Sequence, residues 1–333
     1  MPSITSVYEE ITKHVMCQDS QVRRLLTAIY KNLAFENRQL KSNIFIYGPT
    51  GVGKTAMLNQ ISKILGLPMV IEDSTAFTVA GYVGKSCDEA LRHLYEVSNG
   101  DLELAQHGIL VFDEIDKKSN KGSSGGGIAS EGVLHSLLKI IEGGTIEVEL
   151  NHNTGEKIMF ATSNLIVIVS GAFEGLLKDD KRTASIGFNP PKTLNNIKNQ
   201  TNDIADKLVD YGMAREFVGR FNTFIKLNEL TKDDLKNILI NSNSSALKIY
   251  LEQFKNFGVN IKITDELIDR ICDLAINKHT GARALNNIVN EIFEDILYNL
   301  FSDTNVKEDI VLDKDILCET EKKLVLKNTV QNN

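Results

Sequence analysis

The sequence predicts an α/β protein in which a parallel-sheet domain precedes a smaller, mainly helical domain. Short apolar runs alternate with segments of helical periodicity, as is typical of a parallel sheet with crossover helices. The runs lie at residues 43–47, 68–72, 108–112 and 165–169. Beyond them the pattern becomes helical. Thr231 and Asp234 are expected to cap a long helical pattern over residues 235–257, and Thr264 is expected to start another helix. We therefore expect one domain over residues 1–228 and a second over residues 229–333.

Length and composition limit the class of protein. The 333 residues are enough for about two domains. A net charge of −7 disfavours a nucleic-acid-binding surface. No stretch approaches the roughly 20 apolar residues of a membrane span, and the acidic first residues fit neither a signal nor a transit peptide. The four cysteines are far apart, which argues against a zinc knuckle and predicts reduced thiols in the cytoplasm.

A glycine-rich loop between the first apolar run and a helical segment is the most informative stretch. It consists of Gly48, Pro49, Thr50, Gly51, Val52, Gly53, Lys54 and Thr55. In this context the backbone N–H groups wrap a polyphosphate, and the positive end of the helix dipole faces the same anion. Lys54 is expected to reach the β- and γ-phosphates and Thr55 to bind Mg²⁺. A chance Lys-Thr after a glycine turn is disfavoured because both flanks fit, so the sequence predicts nucleoside triphosphate binding.

The apolar run at residues 109–112 ends in Asp113 and Glu114, 59 positions after Lys54. An aspartate at this place is suited to hold the Mg²⁺ shell, and a glutamate can activate the attacking water as a general base. Ordinary surface acids at a strand end are the alternative. The glycine-rich loop upstream favours the catalytic interpretation.

Two further segments are expected to be exposed loops. Ser86 and Glu89 predict a helix start directly after the first, which contains Gly81, Tyr82, Val83 and Gly84. The second lies within residues 178–200 and contains Ile186, Gly187 and Phe188. The alternative for either loop is that its apolar side chains fold onto the core. A short hairpin is expected at residues 145–150 and 156–161.

In this order the motifs resemble the ClpX family of AAA+ unfoldases, the ATP-binding subunits of the Clp protease. The resemblance covers about residues 15–310 and includes Gly171-Ala172-Phe173 and Thr280-Gly281-Ala282-Arg283. The phosphate-binding loop alone is shared by many ATPases. The combination of Gly-Tyr-Val-Gly, Ile-Gly-Phe and Gly-Ala-Arg is specific to this family.

The resemblance implies a chaperone-like ATPase that works as a homo-hexamer with ATP and Mg²⁺ and without zinc. Such a ring threads unfolded or tagged protein substrates through an axial pore to a ClpP-type peptidase for proteolysis. Glu114 would activate water, Arg220 would be an arginine finger for the next subunit, and Arg283 would be the sensor-2 arginine. Ser170 stands at the first-sensor position. Tyr82 and Val83 match the substrate-gripping pore loop, and residues 186–188 match the peptidase-docking loop.

Four features depart from the family pattern. The four-cysteine zinc domain expected ahead of the ATPase is absent from the sequence, and the channel-entrance loop is reduced to the short hairpin. Cys17 stands where a glycine is usual, and residues 122–127 are unusually rich in glycine and serine. These departures suggest a specialised member of the family.

Three competing interpretations follow. HslU shares the pore-loop motif but carries a large insertion after it, for which the 29 positions between Gly84 and Asp113 leave no room. A stand-alone ATP-dependent chaperone without a peptidase partner stays open because of the departures above. A clamp loader or helicase loader is disfavoured by the acidic charge and by Tyr82.

Overall fold

The computed structural model describes residues 1–35, 41–78, 86–119, 127–151, 155–174, 176, 196–302 and 310–317. The chain divides into two compact units. The first comprises Met1–Tyr8, Ser20–Gly48 and Met57–Leu227, and the second comprises Glu9–Asp19, Pro49–Ala56 and Asn228–Asn333. Most of the glycine-rich loop therefore belongs to the same unit as the C-terminal segment. The domain boundary expected between residues 228 and 229 stays a prediction.

The first unit is built on a five-stranded parallel sheet with the strand order β2-β3-β6-β1-β7. Every residue of β1 and β6 is buried, so both faces of the sheet are covered. A two-stranded antiparallel sheet of β4 and β5 is the predicted hairpin. The strands are β1 (Ile44–Tyr47), β2 (Met69–Asp73), β3 (Ile109–Asp113), β4 (Thr145–Asn151), β5 (Glu156–Ala161), β6 (Ile166–Gly171) and β7 (Thr223–Lys226).

The helices before β7 include one whose start the sequence predicted. The helix after the Gly-Tyr-Val-Gly segment starts with the predicted capping box, in which the Ser86 N–H donates to the Glu89 carboxylate at 3.3 Å. The helices are α1 (Ile4–Thr12), α2 (Asp19–Ala34), α3 (Lys54–Leu65), α4 (Cys87–Val97), α5 (Leu102–Gln106), α6 (Gly127–Ile141), α7 (Asn196–Tyr211) and α8 (Arg215–Val218).

Aromatic side chains form the centre of the core beneath β1. The Phe45 ring lies 5.4 Å from the Phe173 ring, 5.3 Å from the Phe221 ring and 5.7 Å from the Phe224 ring, measured between centroids. All four side chains are buried. This cluster anchors the turns that follow β6 and precede β7, and both turns carry candidate site residues.

The second unit contains helices and a short parallel pair of strands. The predicted helix start is confirmed: the Thr231 N–H donates to the Asp234 carboxylate at 2.9 Å, and the Asp234 N–H donates back to the Thr231 hydroxyl at 3.2 Å. Thr264 caps its helix as expected, accepting from the Leu267 N–H at 3.3 Å. The elements are α9 (Lys232–Asn241), α10 (Ala246–Asn256), β8 (Ile261–Ile263), α11 (Asp265–Asn277), α12 (Ala282–Ser302) and β9 (Ile310–Leu312).

Two expectations about helices are wrong. The helical pattern at residues 235–257 is two helices, because the chain turns between α9 and α10. The buried Ser245 hydroxyl donates to the Leu239 carbonyl at 2.6 Å and accepts from the Lys248 N–H at 3.5 Å, which serves both helix ends. Residues 196–200, expected to be a loop, begin α7, whose buried Leu208 gives it a place in the core.

Candidate nucleotide-binding and hydrolysis site

The carboxyl ends of β3 and β6 bring two predicted site residues together. Asp113 ends β3 and Ser170 lies next to the last residue of β6, and the two strands are parallel neighbours. The buried Ser170 hydroxyl donates to Asp113 Oδ1 at 2.5 Å, and the Glu114 N–H donates to the same oxygen at 2.9 Å. These two bonds fix the orientation of the Asp113 carboxylate before any ligand binds.

Glu114 follows Asp113 with a left-handed backbone, at φ 55° and ψ 32°. For a residue with a side chain this conformation costs about 1–2 kcal/mol, and such outliers concentrate at functional sites. Glu114 is exposed, whereas Asp113 before it is half-buried and Ile115 and Asp116 after it are buried. The turn therefore presents one carboxylate to solvent beside a second carboxylate that is held by the protein, an arrangement that fits a general base beside a metal ligand.

Asp116 and Gly171 are site-building residues to which the sequence analysis assigned no role. The buried Asp116 carboxylate accepts from the Ala172 N–H at 3.2 Å, which ties the turn after β3 to the turn after β6. A Cβ at Gly171 would lie 2.5 Å from the Phe173 ring and 2.6 Å from Asp116 Oδ1. Only glycine fits there. Gly171 belongs to a motif on which the family resemblance rests, but the motif alone does not reveal this contact.

The glycine-rich loop begins at this same edge of the sheet. Gly48 follows β1 directly, and its N–H donates to the Gly171 carbonyl at 3.3 Å. A Cβ at Gly48 would come within 2.9 Å of the Leu227 Cβ, so the first glycine of the loop is required by close approach of the backbone. The chain thus leaves β1 at the edge of the sheet where the Asp113 and Ser170 strands also end.

Within the second unit, the rest of this loop contacts the predicted sensor-2 segment. Gly51 and Gly53 have φ values of 75° and 100°, a conformation that glycine adopts readily. The Ala282 N–H donates to the Gly51 carbonyl at 2.9 Å, and a Cβ at Gly51 would lie 1.9 Å from the Thr280 carbonyl oxygen. Lys54 Nζ donates to the Pro49 carbonyl at 2.9 Å. The exposed Arg283 follows in the first turn of α12, so two motifs that are far apart in the sequence share one surface.

A cavity of about 120 Å³ lies beside the loop in the second unit. Its apolar part is suited to a flat ring, and hydroxyl and imidazole groups stand at its border. The His14 Nδ1 lies 2.9 Å from the Ser244 hydroxyl, and the Ser242 hydroxyl donates to the His14 carbonyl at 2.8 Å. The lining residues are His14, Val15, Met16, Val52, Gly53, Ala56, Leu230, Ile238, Leu239, Ser242, Ser244, Ser245, Ala282, Leu285 and Asn286.

Cys17, the departure from the family glycine, has a backbone that explains why glycine is usual. Its φ is 64°, in the left-handed region. Burial raises the pKa of the Cys17 thiol to about 11, and Asp234 contributes in the same direction. Burial likewise raises the pKa of Cys87 to about 12 and that of Cys272 to about 11. These thiols are therefore protonated at neutral pH and are poor nucleophiles.

Arg220 lies at the opposite edge of the parallel sheet from Asp113. It precedes β7, which pairs in parallel with β1, whereas Asp113 ends β3 two strands beyond β1. With strands about 4.8 Å apart and about 3.3 Å per residue, the two residues are separated by on the order of 20 Å. This is further than an arginine side chain reaches. The Arg220 guanidinium instead contacts the Glu142 carboxylate at 2.5 Å.

The remaining predicted loops lie outside the described residues. These are the pore loop with Gly81, Tyr82, Val83 and Gly84, the glycine-rich segment at 122–126, and the docking loop with Ile186, Gly187 and Phe188. Among the residues that are described, no group of three or more histidine, cysteine, aspartate or glutamate side chains is placed to hold a metal ion. In the same part of the chain, no helix has the length and apolar character needed to cross a membrane.

Comparison with known proteins agrees with this site. Residues 39–224 match the family described as "AAA domain (Cdc48 subfamily)", and residues 230–312 match the "C-terminal, D2-small domain, of ClpB protein". The chain is 33% identical over 335 residues to the ATP-dependent Clp protease ATP-binding subunit ClpX of Treponema denticola, covering 93% of this chain and 80% of that protein.

Two further relatives carry the same description. ClpX 2 of Wolinella succinogenes is 32% identical over 326 residues, covering 92% of this chain and 80% of the relative. ClpX of Borrelia duttonii is 31% identical over 351 residues, covering 98% and 81%. The matched AAA domain carries ATPase activity. The chain therefore belongs to the ClpX family of AAA ATPases, the ATP-binding subunits of the ATP-dependent Clp protease.

Proposed function

We propose that this chain forms a hexameric ring that hydrolyses ATP between subunits and threads protein substrates through its axial pore to a ClpP-type peptidase. The observation that carries the proposal is the position of Arg220 before the start of β7, whereas Asp113 and Glu114 lie at the end of β3, three strands away. An arginine finger on that edge cannot serve its own subunit. It is suited to serve the ATP of a neighbour, which links hydrolysis to motion between subunits.

Each site residue then has a role in this scheme. Lys54 and the backbone of residues 48–53 bind the phosphates, and Thr55 and Asp113 hold Mg²⁺. Ser170 orients Asp113 through its 2.5 Å hydrogen bond, and Glu114 activates the water. Arg283, beside the loop in the second unit, senses the nucleotide. The cavity next to the loop accepts the base, since its walls are largely apolar with polar groups at the border.

The shared site is tested by mixing two inactive variants. Arg220→Ala subunits lack the finger and Glu114→Gln subunits lack the base, so each homogeneous ring should be inactive. In a mixture, an Arg220→Ala subunit retains its own base and receives the finger of a Glu114→Gln neighbour, so part of the turnover should return. ATPase rates across the mixing ratio give the result. Absence of any recovery, with both variants folded and assembled, would reject the shared site.

The pore and docking roles rest on the family membership and on residues outside the described part of the chain. Tyr82→Ala should keep ATPase activity within a few-fold and lose unfolding of a stable tagged reporter. Phe188→Ala should keep both activities and lose delivery of the unfolded chain to ClpP, with Asn189→Ala as the neighbouring control. Burial of one Ile or Phe contributes roughly 1.5–3 kcal/mol before ordering costs, so several loops on a ring must bind together.

A stand-alone chaperone is the second candidate, favoured by the short entrance hairpin, in which β4 ends at Asn151 and β5 begins at Glu156. It is distinguished by one measurement. The wild-type protein is mixed with ATP, an unfolded reporter and the ClpP of the same cell. Degradation of the reporter supports the peptidase link, whereas unfolding without degradation or binding supports the stand-alone activity.

A further inference from the structure

The Arg220 guanidinium is held by an acidic residue of its own subunit. Arg220 Nη2 contacts Glu142 Oε1 at 2.5 Å, and the two side chains are 46% and 45% exposed. The pair borders a polar cavity of about 480 Å³ at the strand-start edge of the sheet. Asn43 and Ile141 also line this cavity.

The backbone at Arg220 is fixed while its side chain has room to move. The Asn43 amide donates to the Arg220 carbonyl at 2.9 Å and to the Ile141 carbonyl at 3.4 Å. Phe221, next in the chain, is buried against the Phe45 ring. Because the main chain is anchored on both counts and the guanidinium is half-exposed at a cavity, a change of partner requires only rotation of the Arg220 side chain.

Glu142 lies at the C-terminal end of α6, a position that by itself disfavours a negative charge. It directly follows the last residue of α6, and its N–H donates to the Leu138 carbonyl at 2.8 Å, so it continues the helix end. The helix dipole concentrates negative charge at this end, where a carboxylate is destabilising. A contact with the guanidinium is what offsets that effect here.

We infer that Glu142 restrains the arginine finger. It holds the Arg220 guanidinium within its own subunit and competes for it with the nucleotide of the neighbouring subunit. The inference rests on the proposed role of Arg220. The planar guanidinium binds a carboxylate or a phosphate with the same donor edge, so the two anions exclude each other at that edge.

The Arg220–Glu142 ion pair must be weak if Arg220 is to exchange it for a nucleotide. Ion pairs with this exposure change an equilibrium by no more than about fivefold, because water screens both charges. Arrival of a triphosphate therefore suffices to draw the finger away. Glu142 would thus raise the nucleotide concentration that an interface needs and keep rings from hydrolysing ATP at poorly formed interfaces.

The test replaces Glu142 with its uncharged isostere. Glu142→Gln should lower the KM for ATP of the assembled ring by about two- to fivefold, with kcat within twofold of the wild type. Glu142→Asp retains the charge and should keep a KM near the wild-type value. In an Arg220→Ala background, Glu142→Gln should leave the affinity for a fluorescent ATP analogue unchanged, because Glu142 acts only through Arg220. Glu266→Gln is the control, since it breaks an exposed 2.8 Å contact with Lys314 in the other unit.

The outcomes separate this inference from the proposed function. If Arg220→Ala and Glu114→Gln subunits rescue each other but Glu142→Gln leaves KM unchanged, the shared site stands. The restraining role of Glu142 is then rejected. A tenfold loss of kcat in Glu142→Gln, with unchanged thermal unfolding, would show that Glu142 positions the finger instead of competing for it. If the mixed rings recover no ATPase activity, the proposed role of Arg220 is rejected, and the restraining role of Glu142 is rejected with it.

Discussion

The two edges of the parallel sheet differ in how they hold their charged side chains. At the strand-end edge, buried Ser170 and Asp116 tie the loops together through hydrogen bonds to Asp113 and Ala172. At the strand-start edge, half-exposed Arg220 and Glu142 pair across a polar cavity. One edge is preorganised and the other can exchange partners. The difference suits the proposed arrangement, in which one subunit supplies the water-activating base and its neighbour supplies the arginine finger.

The two edges should therefore differ in how strongly a substitution changes folding stability. Removing a partner from a buried polar group costs about 1–3 kcal/mol of folding stability, whereas an exposed ion pair contributes about 0.2–1 kcal/mol. Substitutions at the strand-end edge should therefore affect folding as well as turnover. Substitutions at the strand-start edge should affect turnover with little change in folding.

The largest effect is expected from Arg220→Ala. Loss of an arginine finger lowers turnover by about 10³-fold or more, while the exposed position predicts a change in unfolding free energy below about 1 kcal/mol. Steady-state ATPase rates and thermal unfolding measure the two quantities. Arg215→Ala is the matched control, because Arg215 is 74% exposed and pairs with Asp206 at 3.2 Å. Equal losses in both variants would contradict a specific role.

Glu114→Gln comes next and separates catalysis from binding at the strand-end edge. Loss of general-base assistance should reduce turnover by at least ~10²-fold. Binding of ATP should persist, because the side chain is exposed and only its N–H contacts Asp113. A fluorescent nucleotide titration measures binding, and phosphate release measures turnover. Near-normal phosphate release would reject the assignment of Glu114 as the base.

Gly171→Ala is expected to act mainly on stability. The added methyl would overlap both the Phe173 ring and Asp116 Oδ1, and overpacking of this kind costs about 1–3 kcal/mol. Chemical denaturation gives the change in unfolding free energy. Gly144→Ala is the control, since a Cβ there meets no atom within 4 Å. If the two variants are equally stable, the strand-end edge is looser than the hydrogen bonds indicate.

Ser170→Ala should destabilise the fold less than Gly171→Ala does. It removes one of the two hydrogen bonds to Asp113 Oδ1 and leaves the Glu114 N–H in place, so about 1 kcal/mol of stability is lost. The dependence of ATPase activity on Mg²⁺ should shift to higher concentration, because the carboxylate is less well oriented. An unchanged Mg²⁺ dependence would indicate that Ser170 supports the fold alone.

The amino-acid sequence by itself determined the features that depend on residues close together in the chain. Strand positions, the helix starts at Ser86, Thr231 and Thr264, and the hairpin of β4 and β5 all follow from local periodicity and capping, and the structure confirms them. The phosphate-binding loop and the Asp-Glu pair were recognisable for the same reason. Each requires only a short segment with a fixed spacing.

Tertiary structure decided which of these segments meet. The turn at Ser245, which divides a continuous helical pattern, depends on hydrogen bonds to the ends of both helices. The requirement for Gly171 and the contact of Asp116 with Ala172 appear only when β3 and β6 lie side by side. Arg220 and Glu142 are 78 positions apart in the chain. They meet because β7, the outermost strand of the sheet, pairs with β1. Strand order is set by the packing of the whole core, and no local pattern encodes it.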